Sequence, residues 1–276
     1  MPYVTVNGTD YYYEITGDGP DTIVFAHGCL LSCRMFDGMV AIFKEWLKKS
    51  VRCVTFDFRG QGQSAIPASG YDMDSLAKDT AELIRVLGCA PCHFLGFSMG
   101  GFVGMRLAVE HPELLQSLIL VGTSASPEPH TIRYRVLCWL AWLFGPRAVT
   151  RWVMPIQFGQ AWLDNPCRAE ELLFWYKRMA TNDRLGSIRA ARGVIARPDY
   201  SSHLSRIHVP TLIIAGEADR ATPPAEAKKL HTLIAGSRLE LIPGAGHAVP
   251  IEEPGAIVRL FLNFFVEINP ERFEHD

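Results

Sequence analysis

Ser98 lies in Gly96-Phe97-Ser98-Met99-Gly100-Gly101, a Gly-x-Ser-x-Gly pattern between an apolar run and a helical one. At a sharp strand-to-helix turn such a serine is held out above a sheet edge, and flanking glycines let neighbouring backbone pass without Cβ clashes. A serine hydroxyl is a poor nucleophile near neutral pH unless a base takes its proton during attack and an acid orients that base. Later loops offer both. Asp219, in Ala215-Gly216-Glu217-Ala218-Asp219, follows the apolar run Thr211 to Ile214; His247, in Pro243-Gly244-Ala245-Gly246-His247, follows the run ending at Ile242. Glu217, two residues from Asp219, is an alternative acid. Acyl transfer through these groups also needs preorganised donors for the developing oxyanion. Two backbone amides are candidates: Cys29, in His27-Gly28-Cys29-Leu30, and Met99, which opens a helix whose dipole favours negative charge. The Cys29 thiol has no base placed beside it and is expected to line the pocket.

These residues can meet only if strands deliver them to one edge. Tyr3 to Val6 and Tyr11 to Ile15 flank Asn7-Gly8 and read as a hairpin. Thr22 to Ala26, Val51 to Phe56, His93 to Gly96, Ser117 to Val121, Thr211 to Ala215 and Arg238 to Ile242 read as short, continuously apolar strands. Helical patterns separate several of them, over Ser75 to Leu87, Met99 to Glu110, about Pro223 to Ile234 and Pro254 to Val266. Such alternation predicts an α/β fold with a mostly parallel central sheet and helices on both faces. Between about 126 and 205 the alternation stops. That segment is helical and holds five of the six tryptophans, so the division is a core of residues 1–125 and 206–276 with a helical insert at 126–205.

The 276 residues carry a net charge of −2 with 48% hydrophobic and 20% charged residues, which excludes disorder and gives no drive toward nucleic acid. Charge is unevenly divided: the insert has eleven Lys or Arg against six Asp or Glu, hence +5, and the rest is −7. A solvated surface accounts for that balance, as does attraction of an anionic substrate or lipid. Seven cysteines, an odd number, make a complete disulfide framework impossible, and the start lacks the pattern of a signal peptide. A cytoplasmic protein without a transmembrane segment is expected. Cys89-Ala90-Pro91-Cys92 has redox spacing but sits at a helix-to-strand turn, the reverse of the redox arrangement, and reads as structural thiols. No metal-ligand spacing, phosphate loop or dinucleotide fingerprint is present, so no cofactor is expected.

Together with Asp57-Phe58-Arg59-Gly60-Gln61-Gly62-Gln63-Ser64, these motifs resemble the α/β-hydrolase superfamily over nearly all of the chain apart from the insert. The loop looks like the family's Asp-x-Arg-Gly-x-Gly-x-Ser, with Gln61 where histidine is common. The Ala215 to Asp219 segment, followed by Thr222-Pro223-Pro224-Ala225 and then Gly246-His247, is similar to 3-oxoadipate enol-lactone hydrolases and related carboxylesterases. The resemblance implies an α/β-hydrolase fold whose insert is a cap over the site. It implies a serine hydrolase that cleaves a small or medium carboxylic ester or lactone with water through an acyl-serine. Haloalkane dehalogenases and epoxide hydrolases of this fold use an aspartate nucleophile, and position 98 is serine. Carbon–carbon bond hydrolases commonly show a glycine-rich oxyanion loop and an aromatic residue after the histidine, where this chain has Cys29-Leu30-Leu31 and Ala248. That alternative, cofactor-independent haloperoxidases or perhydrolases, and a ligand receptor all share the triad. A 3-oxoadipate enol-lactone carries a free carboxylate, so a hydrolase built for it should turn one cap arginine inward. Arg133 and Arg135 are the candidates, of which at most one can face the pocket, with Trp139 among the apolar lining. A neutral ester requires neither arginine.

Overall fold

Along each central strand, successive side chains alternate between two apolar layers. Ile23 and Phe25 enter one and Val24 and Ala26 the other; Ile119 and Val121 oppose Leu118 and Leu120. Such strands can be stable only with helices on both faces. A computed structural model, describing residues 2–47 and 50–269, shows this arrangement. Its eight strands are β1 (Tyr3–Val6), β2 (Thr9–Thr16), β3 (Asp21–Ala26), β4 (Val51–Phe56), β5 (Cys92–Phe97), β6 (Leu115–Val121), β7 (Thr211–Gly216) and β8 (Arg238–Ile242). They form one sheet in the order β1-β2-β4-β3-β5-β6-β7-β8. The β1–β2 hairpin pairs antiparallel with β4 through β2, and all later pairs are parallel. Strand order reverses between β3 and β5, whose Ala26 and Gly96 lie side by side. At such a switch point the loops leaving the strand C-termini diverge and open a crevice. The Cys29 loop and Ser98 both leave the sheet there.

The core helices are α1 (Asp37–Leu47), α2 (Met73–Val86), α3 (Met99–Glu110), α9 (Pro224–Leu233), the short α10 (Val249–Glu252) and α11 (Pro254–Ile268). Helix α2 begins at Met73, two residues before the periodicity suggests, because the Asp72 carboxylate caps the Ser75 amide at 2.9 Å. Helix α1 has no counterpart in the sequence reading. Its buried Met39 and Phe43 follow a 3₁₀ turn, and Phe43 packs edge-on against Phe261 of α11 at 5.2 Å. Cys89 and Cys92 are buried free thiols between α2 and β5.

Between β6 and β7 come α4 (Thr131–Phe144), α5 (Pro146–Gln157), α6 (Gln160–Leu163), α7 (Ala169–Ala180) and α8 (Arg184–Ile195). Gly145, at φ 84°, ends α4, and Pro146 starts α5, as expected where a left-handed glycine precedes an N-terminal proline. The chain returns to the core earlier than residue 205. Tyr200, whose amide donates to the Ala125 carbonyl at 2.8 Å, and Leu204 are already buried in the layer beneath α3. No helix among the described residues is long and apolar enough to cross a membrane.

Candidate active site

Ser98 adopts φ 51°, ψ −111°, a backbone region that non-glycine residues rarely occupy. Close packing enforces it: a Cβ on Gly100 would lie 2.1 Å from the Ala26 carbonyl oxygen, so α3 presses against β3 immediately after the turn. The strained turn carries the Ser98 hydroxyl above β5, where its Oγ lies 3.0 Å from His247 Nε2. His247 Nδ1 lies 2.8 Å from Asp219 Oδ2. Asp219 is buried and its Oδ1 accepts the Ala221 and Thr222 amides, each at 2.8 Å. The Thr222 hydroxyl donates to Asp219 Oδ2 at 2.9 Å and sits 3.2 Å from His247 Nδ1. With the carboxylate held by these donors, His247 Nδ1–H points at it and Nε2 is left to accept from Ser98. Glu217 is exposed, whereas Asp219 is buried against the imidazole. Phe97 packs against the same imidazole at 4.9 Å and limits its rotation.

The amides of Cys29 and Met99 have no hydrogen-bond acceptor among the described residues. Gln61 holds the residues around them in place: Leu30, at φ 68°, donates its amide to Gln61 Oε1 at 2.7 Å, and Gln61 Nε2 lies 3.9 Å from Met99 Sδ. Beneath the loop, the buried His27 accepts the Phe58 amide at Nε2 (2.9 Å) and donates from Nδ1 to the Gly28 carbonyl (2.7 Å). Burial pulls the His27 pKa below its ordinary value, against the opposing pull of Asp57. Burial also pushes the Cys29 thiol up to about 12, so at neutral pH it is a protonated lining group rather than a nucleophile.

Ser98 and His247 open into a cavity of about 150 Å³. Most of its wall comes from the insert, including Leu137, Ala141, Val149, Val153, Ile156 and Ile188. Arg133, Arg135 and Trp139 are not part of it. All three are exposed, because α4 turns Tyr134, Leu137, Cys138 and Ala141 to the cavity and those three positions fall on its other sides. The arginine in the wall is Arg197, just beyond α8. Its Nη1 pairs with Glu128 Oε2 at 3.1 Å and donates to the Val194 carbonyl, its Nε donates to the Ser126 carbonyl, and its guanidinium covers the Phe102 ring at 4.4 Å. Burial lowers the Arg197 pKa, an effect that Glu128 opposes. Gln157, at the end of α5, lines the cavity with its side-chain amide oxygen buried and without a hydrogen-bond partner among the described residues.

Hydrogen bonds tie the insert to the reactive loops, among them the Ala248 amide donating to the Gln157 carbonyl at 2.6 Å. Asn182 Nδ2 donates to the Leu30 carbonyl at 2.8 Å. At the other end Glu252, buried in α10, accepts the Gly159 amide at 3.1 Å and the Gly246 amide at 2.8 Å. The two glycines lie so close that a Cβ on Gly246 would sit 2.0 Å from the Gly159 nitrogen. Burial raises the Glu252 pKa. No motif flags Gln157, Arg197 or Glu252 as part of the site, and Gln61 stands out only by replacing histidine in the Asp57 loop; for Glu252, its place five residues after His247 is the one sequence cue. Among the described residues no group of three or more His, Cys, Asp and Glu is placed to hold a metal ion.

The family model for the alpha/beta hydrolase fold matches residues 21–254. A putative non-heme chloroperoxidase of Synechocystis is 32% identical over 96% of this chain and 99% of its own length. A putative carbamate hydrolase RutD of Pseudomonas syringae is 30% identical over 75% of this chain and 81% of its own. Among solved structures, the enol-lactonase of Burkholderia xenovorans superposes with a TM-score of 0.88 at 27% identity, covering 96% of this chain and all of that one. A family match over most of the chain and a sheet that reverses its order beside Ser98 lead to one conclusion: this protein belongs to the alpha/beta hydrolase family.

Proposed function

We propose that this protein hydrolyses uncharged carboxylic esters or lactones of small to medium size through an acyl-enzyme on Ser98. The observation that carries the reading is the hydrogen-bonded series Ser98–His247–Asp219 opening into an apolar cavity. Ser98 Oγ attacks the carbonyl carbon as its proton passes to His247 Nε2, and the amides of Cys29 and Met99 receive the negative oxygen. Collapse expels the alcohol, which takes the proton back from Nε2, and water then repeats the sequence on the acyl-serine. Asp219, held by the Ala221 and Thr222 amides, steadies the imidazolium. Cys29 and Met99 act through backbone amides, so replacing either side chain should matter less than replacing Ser98.

The composition of the wall supports the restriction to uncharged substrates. A free carboxylate needs a partner cation, yet Arg197 is already paired with Glu128 and the α4 arginines lie outside. On this reading the substrate differs from that of the enol-lactone hydrolases that the motifs resemble. The similarity to a putative chloroperoxidase over nearly the whole chain favours one second reading, in which hydrogen peroxide replaces water on the same acyl-serine and yields a peracid.

A panel of p-nitrophenyl esters, with a carboxylate-bearing lactone and its methyl ester, tests these statements. Ser98→Ala, His247→Ala and Asp219→Ala should each lower kcat by roughly 10³-fold or more, and a phosphonate probe should add its mass to Ser98. The methyl ester should exceed the free acid in kcat/KM by at least about 10-fold, the cost of burying an unpaired carboxylate. Full activity in Ser98→Ala overturns the acyl-serine; a preference for the acid overturns the neutral substrate. Peracid formation with added hydrogen peroxide, faster than hydrolysis, would establish the second reading instead.

A further inference from the structure

Helix α4 is apolar on two opposite sides. Tyr134, Leu137, Cys138 and Ala141 face the cavity. At about 100° per residue, Ile132, Val136, Trp139 and Leu143 form a second stripe half a turn away. That stripe is uncovered: Ile132 is 81% exposed and Trp139 56%, and Phe144 at the helix end is 68% exposed. An all-round apolar helix ordinarily has protein or lipid on every side. Arg133 and Arg135 flank the stripe, and Arg147 and Arg151 lie on the next helix, α5; all four are exposed. Between residues 129 and 163 there is no Asp or Glu. The ion pairs of the insert use Arg168 with Glu171 and Arg197 with Glu128, leaving these four arginines without one among the described residues.

We propose that the outer face of α4, with the adjoining arginines of α5, docks on an anionic lipid surface. Exposed tryptophan and aliphatic side chains interleaved with arginine, and no acid, match the boundary between headgroups and acyl chains. There the aliphatic groups leave water while each guanidinium meets a phosphate. Charge decides against a second copy of this chain as the occupant. A twofold dimer would place the patch against itself and bring arginines together with no carboxylate between them. The docking concerns the side of α4 turned away from the cavity and stands whether or not the acyl-serine reading holds.

Sedimentation of the full-length Ser98→Ala protein with vesicles tests it, since the assay needs no turnover. Vesicles of phosphatidylcholine with phosphatidylglycerol should bind the protein, pure phosphatidylcholine far less, and rising salt should release it. Arg133→Gln and Arg135→Gln should each weaken the partition coefficient about 5-fold. Trp139→Ser should also weaken binding, while the same substitutions in a Ser98 background leave hydrolysis of a soluble acetate ester unchanged as a check on folding. Failure to sediment with anionic vesicles overturns the proposal, as does equal binding to neutral ones. A dimer that Trp139→Ser dissociates would assign the face to a second copy. Binding to a polyglutamate probe in the absence of vesicle binding would assign it to an acidic protein.

Discussion

His27 shows how a buried residue outside the cavity wall can tie stability to pH. Its imidazole is buried, neutral and wired between the Phe58 amide and the Gly28 carbonyl, directly beneath the loop that presents Cys29. In acid the unfolded chain binds a proton on this side chain near its ordinary value of 6.5, and the folded chain refuses it. Stability from His27 is therefore complete above about pH 6.5 and falls as pH drops toward the depressed folded value, by about 1.4 kcal/mol per pH unit. Denaturation of wild type and His27→Gln between pH 7.5 and 5.5 should show a steeper acid loss in wild type, by about one proton. Parallel slopes would mean that the ring protonates in place. The residue scale was also where sequence spoke most clearly. Ser98, Asp219 and His247 each sit where a glycine-containing turn follows a strand, and the structure brings those three positions together. Gln61 was visible only as a departure from a familiar loop, because its role depends on Leu30, 31 residues away.

Elements carry what single residues cannot, namely the placement of the insert over the sheet. Glu252 links the start of α6 to the loop before His247 through two backbone amides. Glu252→Gln substitutes an amide donor for one carboxylate oxygen and sets it against a backbone N–H. We expect a loss of about 1.5–3 kcal/mol in stability and a fall in kcat larger than any change in KM, because the imidazole rather than the binding wall is displaced. Thermal melts and ester kinetics check both, and an unchanged kcat would confine Glu252 to folding. The orientation of α4 was not legible. A helix apolar on nearly every side has no pattern that tells the inner face from the outer, and contacts with α5 and α8 make that choice. For the same reason Arg133 and Arg135, beside the apolar run, lie outside the cavity, and the arginine in its wall is Arg197 beyond α8, which the returning chain brings beside Ser126.

At the scale of the whole molecule, reactive groups and binding wall have separate origins. The sheet supplies Ser98, His247 and the Cys29 loop, and the segment from Glu128 to Arg197 supplies most of the surface that an acyl group would touch. Narrowing that wall should change preference without changing chemistry: Ala141→Leu is expected to lower kcat/KM for an octanoyl ester about 10-fold or more and to spare an acetyl ester, since overpacking costs about 1–3 kcal/mol. A uniform loss on both esters would show that the helix has moved rather than the wall. The backbone contact of Gly159 with Gly246 adds a condition on inheritance. A segment exchanged between relatives by recombination would bring its own acyl preference, yet it must arrive with no side chain at the Gly159 position. Otherwise the newcomer would push away the histidine loop it came to serve.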